Sequence, residues 1–145
     1  MSIEEGKKIN LKREDGTHAA FLAARGGYLD PLKLLIQKDP SVADLNGFNG
    51  ITPLGAASSN GHLMTVKYLI SLPHINIDSQ DDLGVTPLIW ATFDGHLHVV
   101  EYLLQNHANK SIKDNFGNTA MDYAAAKNNT ELINLLKQEM DANFI

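Results

Sequence analysis

Thr-Pro-Leu occurs twice, at 52–54 and 86–88, and each copy is followed nine residues on from its Thr by Gly-His-Leu, at 61–63 and 95–97. A repeat of about 34 residues is one supersecondary unit copied in tandem, and a unit of that size cannot bury its apolar face alone. The chain is therefore constrained to a stack. Thr119-Ala120-Met121 continues the register after Thr86, one residue short of a full period, with Asn128 in the Gly position. One full period before Thr52, His18-Ala19-Ala20 continues it backwards and leads to Gly27-Tyr28-Leu29. Apolar residues repeat in step: Leu32, Leu35 and Ile36; Val66, Leu69 and Ile70; Val100, Leu103 and Leu104; Ile133 and Leu136. Four units are expected, at 13–46, 47–80, 81–113 and 114–140 of a single 145-residue domain. The divergent outer two have the character of end caps, whose outward faces meet water.

Each unit can be built from its residue types. Asn49-Gly50 is a tight-turn dipeptide, because Gly accepts positive φ. Thr52 can cap a helix through its hydroxyl, and Pro53 suits a first helical position. Gly61 ends that helix, and Leu63, Val66, Leu69 and Ile70 give a second helix an apolar stripe. The unit is a turn and two antiparallel helices, so the fold class is all-α. Helices of about ten residues are marginal alone, so stability must come from stacking. Ala23 and Ala24, Ala56 and Ala57, Ala91, and Ala124 and Ala125 recur in the first helices, where bulk would hold neighbours apart.

At this point the chain resembles the ankyrin repeat family, whose pattern is Asp-x-x-Gly-x-Thr-Pro-Leu-His, an Ala-Ala pair, Gly-His and a Val/Leu-rich second helix. Asp81, Gly84, Thr86, Pro87, Leu88, Ala91, Gly95, His96, Leu97, Val99, Val100, Leu103 and Leu104 match it, as do Gly50, Thr52, Pro53, Leu54, Ala57, Gly61, His62 and Leu63. The resemblance implies a solenoid of four helix-turn-helix repeats joined by β-hairpin-like loops. It also implies a helix-capping role for Gly61 and His62 and a core position for Trp90. The His that follows Thr-Pro-Leu in the family is replaced by Phe21, Gly55, Ile89 and Asp122, so a Thr-to-imidazole hydrogen bond is expected in no unit. Gly55 inside a helix should cost about 0.8–1 kcal/mol relative to Ala, making the second unit the soft point. One extra residue is expected near Pro73-His74-Ile75, and His107 stands where the family has a helix-ending Gly.

Composition narrows the partners. A net charge of −5 with no basic run leaves no Lys/Arg cluster to hold a phosphate backbone, so no nucleic-acid ligand is expected. The absence of Cys excludes disulfides and thiolate chemistry. The opening Met-Ser-Ile-Glu-Glu-Gly-Lys-Lys lacks the apolar core of a signal peptide, and no apolar stretch approaches the ~20 residues that cross a bilayer. A soluble, intracellular, cytoplasmic monomer with no membrane partner is the expectation. Residues 1–12 read as a short capping turn or a frayed end, and 141–145 as a loose one.

No catalytic, cofactor or metal constellation emerges. Ser59 and His62 are separated by the helix-ending Gly61 with no acid to orient the imidazole. His62 and His96 occupy equivalent places one repeat apart, too far to share a zinc ion, and His96 and His98 point to different helix faces. An EF-hand loop from Asp78 would need Gly at position six and Glu at position twelve, where Leu83 and Ile89 stand; Asp81 belongs to the repeat turn. The expectation is a non-enzyme without cofactors.

What remains is a surface. The resemblance implies that partners bind the concave side, formed by turn tips and the exposed ends of first helices. Carried over, the tips are Glu14, Asp15 and Thr17; Phe48, Asn49 and Ile51; Asp82, Leu83 and Val85; and Asn115, Phe116 and Asn118. The helix ends are Arg25, Ser59, Asn60, Phe93, Asp94 and Lys127. Turns are usually polar, so Phe48, Ile51, Leu83, Val85, Phe93 and Phe116 read as an apolar ridge. Flanked by Glu14, Asp15, Asp82 and Asp94, it suits a protein partner with apolar anchors inside a basic rim. Lys33, Lys67, Glu101 and Lys137 are expected on the opposite, solvated face. The function expected is noncovalent regulation or tethering of a partner protein, with an adaptor that targets an enzyme as the alternative.

Overall fold

The computed structural model describes residues 18–138; the expectations placed on 1–12, on Glu14, Asp15 and Thr17, and on 141–145 lie outside the described residues. Four helix pairs follow one another: α1 (Ala19–Gly26) with α2 (Leu29–Lys38), α3 (Pro53–Ser59) with α4 (Leu63–Ser71), α5 (Pro87–Phe93) with α6 (Leu97–Gln105), and α7 (Ala120–Ala126) with α8 (Thr130–Lys137). Among the described residues no helix exceeds ten residues, so the stack is the source of their stability.

Local chemistry sets the starts of the first helices. Thr52 Oγ1 accepts from the Gly55 N–H at 3.0 Å, and Thr86 Oγ1 from the Ile89 N–H at 3.1 Å, each followed by Pro at the first helical position. In the last pair Asp122 replaces the family His, and its carboxylate accepts from the Thr119 N–H (2.8 Å) while Thr119 Oγ1 accepts from the Asp122 N–H (3.3 Å). This reciprocal capping box satisfies two otherwise orphaned donors. The ends are set by left-handed residues, Gly27, Gly61, Gly95 and Asn128 for the first helices. His107 takes φ 68°, as its place predicts, and His74 does the same at φ 69°, beyond the one-residue longer exit from α4.

The histidines of Gly-His do not cap through their side chains; neither His62 nor His96 makes a capping hydrogen bond. Each ring lies instead across the preceding unit's glycine. A Cβ on Gly27 would stand 2.6 Å from His62 Nδ1, and one on Gly61 2.6 Å from His96 Nδ1. His96 Nε2 donates to the Ser59 carbonyl at 2.8 Å.

The expected stripes form one continuous core. Leu32, Ile36, Val66, Leu69, Val100, Leu103, Leu104 and Leu136 are buried, with Leu35, Ile70 and Ile133 packed against them. Ala20, Ala23, Ala24, Ala56, Ala57, Ala91, Ala120 and Ala124 are buried as well. Ala125 departs from expectation and is exposed. Its register partners Ala24, Ser58 and Thr92 are buried, each in a unit with another after it, whereas among the described residues none follows α7–α8. A 3-10 turn (Pro40–Asp44), unanticipated from sequence, adds Val42 and Ala43 to the core; Asp39 opens it by accepting from the Ser41 N–H at 3.1 Å.

The connecting loops are hairpin-like. Gly47 N–H donates to Ile51 O (2.7 Å), Asp81 N–H to Val85 O (3.1 Å) and Asp114 N–H to Asn118 O (2.9 Å). Successive tips are bonded to each other, Asp82 N–H to Asn49 O at 3.0 Å and Asn115 N–H to Leu83 O at 2.9 Å. First helices pack on one another more extensively than second helices do, so the stack is tighter on the first-helix side.

Candidate protein-binding surface

The tip ladder and the packing of first helix on first helix line up the turn tips and the first helices along the stack. Three apolar side chains there stay open to solvent: Phe116 at 70%, Leu83 at 49% and Phe93 at 41%. Isolated exposed apolar residues are ordinary, but these three belong to two adjacent units. Asn49, Asn60, Asp82, Asp94, Asn115 and Lys127 are exposed around them. Phe48 and Ile51 are half-buried. Val85 and Asn118 are turned inward, Val85 packing on the core and Asn118 donating from Nδ2 to the Tyr123 hydroxyl at 3.4 Å.

Many of these side chains are already held by neighbouring units. Lys127 Nζ lies 3.9 Å from the centre of the Phe93 ring and donates to the Phe93 carbonyl at 2.6 Å. Phe93 meets Tyr123 edge to face with centroids 5.5 Å apart. Ser59 Oγ donates to Asp94 Oδ2 at 2.6 Å, and Asn60 Nδ2 to the Arg25 carbonyl at 3.3 Å. Arg25 lies over the Phe48 ring at 5.2 Å, and Phe48 meets Phe21 edge to face at 5.3 Å. Such contacts restrict rotamers before a partner arrives, which lowers the ordering cost of association.

Beneath the tips, acidic residues organise the hairpins. Asp81 Oδ1 accepts from Leu83 N–H and Val85 N–H, both at 2.9 Å, while its Oδ2 accepts from the Trp90 indole at 2.9 Å. That bond holds Trp90 half-buried at the hairpin base, facing the first-helix side, and corrects the core placement expected from sequence. One unit on, Asp114 repeats the device: its Oδ1 accepts from Phe116 N–H and Asn118 N–H, both at 3.0 Å, and its Oδ2 from the Tyr123 hydroxyl. Burial by itself pushes the Asp114 carboxyl up, but the Tyr123 hydroxyl and the two backbone donors outweigh it and hold the group below its ordinary value. The same bond raises the Tyr123 hydroxyl.

The Ser59 hydroxyl donates to the Asp94 carboxylate, and the His96 imidazole is tied to the Ser59 carbonyl and not to its hydroxyl, so Ser59 and His96 do not form a hydroxyl–imidazole pair. Among the described residues no three His, Cys, Asp or Glu side chains converge on a metal position, and no helix is long and apolar enough to cross a membrane. Sequence reasoning passed over Phe21, Trp90 and Tyr123 as surface determinants; the matched spacing of Asp81 to Trp90 and of Asp114 to Tyr123 in successive units was the signal available.

A family model described as ankyrin repeats (3 copies) matches the chain twice, over residues 1–81 and 66–144. The chain belongs to the ankyrin repeat family. Ankyrin repeats are a non-catalytic fold that serves generically in protein–protein interaction. Comparison with curated proteins gave no match. In ankyrin terms, the Asp of the repeat turn is spent on its own hairpin and on an aromatic first-helix residue, and the tips carry the side chains that vary most in chemistry from unit to unit.

Proposed function

We propose that the chain binds a partner protein noncovalently along the first-helix and tip side, and regulates or tethers it by occupancy, acting as a monomer in the cytoplasm and not as an enzyme. The observation that carries this reading is the exposure of Leu83, Phe93 and Phe116 on one pre-ordered side of an interaction fold. A buried apolar anchor on each would account for hot-spot energetics with few residues. Phe48, Asn49, Ile51, Asn60, Asp82, Asp94, Asn115 and Lys127 supply the surrounding contacts, with Val85 and Asn118 supporting the tips from beneath. Replacing Leu83 with Ser, and Phe93 and Phe116 with Asn, should leave helical circular dichroism intact and lower affinity for a partner captured from source-cell lysate at least tenfold. Unchanged affinity with intact dichroism removes the site.

The adaptor reading keeps one support. Leu34 and Met64, on second helices, are 63% and 62% exposed and offer apolar contact away from the tips. Simultaneous binding of two partners in a sedimentation experiment selects the adaptor; mutual exclusion selects regulation by occupancy.

A further inference from the structure

The second unit departs from the two that follow it in a way that opens a cavity. Trp90 and Tyr123 occupy one register position in the third and fourth units, and the second unit has Ala56 there. Their acidic partners Asp81 and Asp114 also share a register, which the second unit fills with Gly47. The second unit therefore lacks both the aromatic ring and the carboxylate that fasten the other two hairpins. Phe21 fills the Gly47 side, where a Cβ would stand 2.5 Å from its ring. Beside Ala56, itself buried, lies a depression of about 190 Å³ whose walls include Phe21, Arg25, Phe48, Ser59, Asn60 and Trp90. Pockets that take cofactors or drug-sized molecules run to about 300–1,000 Å³, so this one has room for a single side chain.

We infer that this depression is an anchor pocket for one aromatic side chain of the partner, carried beside an acidic residue. It rests on the proposed binding side and names the partner's chemistry there. The chain itself shows what fills this register, since Trp90 and Tyr123 place rings there in the next two units. Aromatic walls favour a ring that can meet them edge to face, and Ser59 and Asn60 leave a polar margin. The charge at the mouth is a cation. Arg25 is exposed over Phe48 and, among the described residues, pairs with no carboxylate. Among the described acids of the ridge, Asp94 is already engaged by Ser59. Arg25 thus asks for an acid at the pocket, whereas the basic rim expected of the partner from sequence belongs to the acids of the ridge.

Trp90 is the chain's only Trp, so its emission reports on the pocket directly. The probes are nine-residue, Trp-free peptides with blocked ends and one Phe, flanked by Glu, by Ser or by Lys, and a Glu-flanked control with Ala in place of Phe. The Glu-flanked Phe peptide should shift Trp90 emission and bind about threefold tighter than the Ser-flanked one, the advantage of an exposed ion pair, and the Lys-flanked one should bind weakest. High salt should erase the ranking but not the binding. Ala56→Trp should abolish binding by filling the pocket from within, and Arg25→Glu should reverse the Glu and Lys order with unchanged circular dichroism. Equal binding of the Phe and Ala peptides, or an unchanged ranking in Arg25→Glu, overturns the inference. Should Ala56→Trp misfold, the Arg25→Glu ranking decides alone. If no peptide binds while the Leu83, Phe93 and Phe116 substitutions still abolish partner affinity, the pocket is lost and the binding side stands.

Discussion

Ser58 is fully buried, and among the described residues its hydroxyl has no hydrogen-bond partner. The register neighbours are Ala24, which has no hydroxyl, and Thr92, whose Oγ1 donates to the Leu88 carbonyl at 2.8 Å. A buried hydroxyl without a partner costs about 1–3 kcal/mol, so Ser58→Ala should stabilise the protein by about 1 kcal/mol or more in urea unfolding; a loss of stability would show that the oxygen is paired. Asp114 presents the opposite case. Its folded carboxyl lies below the ordinary range, so the unfolded chain binds that proton more readily than the folded one. The resulting stability is complete above the unfolded Asp value of about 3.9 and is lost as the pH falls through the lower folded value. Urea midpoints at pH 7 and at about pH 3 should therefore differ less in Asp114→Asn than in the parent. Tyr123→Phe, which removes the strongest group holding the carboxylate, should reduce the difference part of the way.

At the scale of the element, Gly55 is the test of how well local propensity is matched to the stack. It has no left-handed backbone to maintain, and an added Cβ would meet Ile51 Cγ2 and Thr52 Oγ1 at 3.4 Å and Trp90 Cδ1 at 3.9 Å, ordinary contact distances. Gly55→Ala should raise stability by about 0.5–1 kcal/mol, measured as an increased urea midpoint with an unchanged slope. The helices themselves were legible because Thr-Pro, Gly and the apolar stripes act within one unit. Side-chain contacts made only on folding, within a unit as well as between units, were not legible. The sequence marks Trp90 and Tyr123 as large first-helix residues, but only the folded hairpin brings Asp81 and Asp114 to their polar ends. Lys33 and Lys67, expected to be merely solvated, lie 5.5 and 5.4 Å from the Tyr68 and Tyr102 ring centres of the following units. The surface residues were placed by register, yet which would stay open depended on these cross-unit partners. Phe116, at a tip, is 70% exposed, whereas Phe93 is covered by Tyr123 and Lys127 to 41%.

For the molecule as a whole, a linear stack holds together only as well as each unit grips the next, and two glycines allow one grip to be measured in isolation. Gly61 and Gly95 end equivalent helices with nearly the same backbone, φ 73° and 78°. An Ala at either position must adopt the left-handed conformation, at a cost of about 1–2 kcal/mol. Their surroundings differ. A Cβ on Gly95 meets nothing within 4 Å, while one on Gly61 would press to 2.6 Å on the His96 ring, which belongs to the next unit and is tied back by its bond to the Ser59 carbonyl. Gly95→Ala should therefore register the backbone cost alone, and Gly61→Ala the backbone cost plus a loosened junction between the second and third units. The excess should be visible as faster hydrogen exchange in both α3 and α5. His96→Ala removes the ring that the new methyl would strike, so it should restore part of the stability lost in Gly61→Ala but none of that lost in Gly95→Ala. A double-mutant cycle between positions 61 and 96 isolates that coupling; a coupling energy of zero would mean that the imidazole contributes nothing to the grip and that the junction is held by the alanine-lined first helices alone.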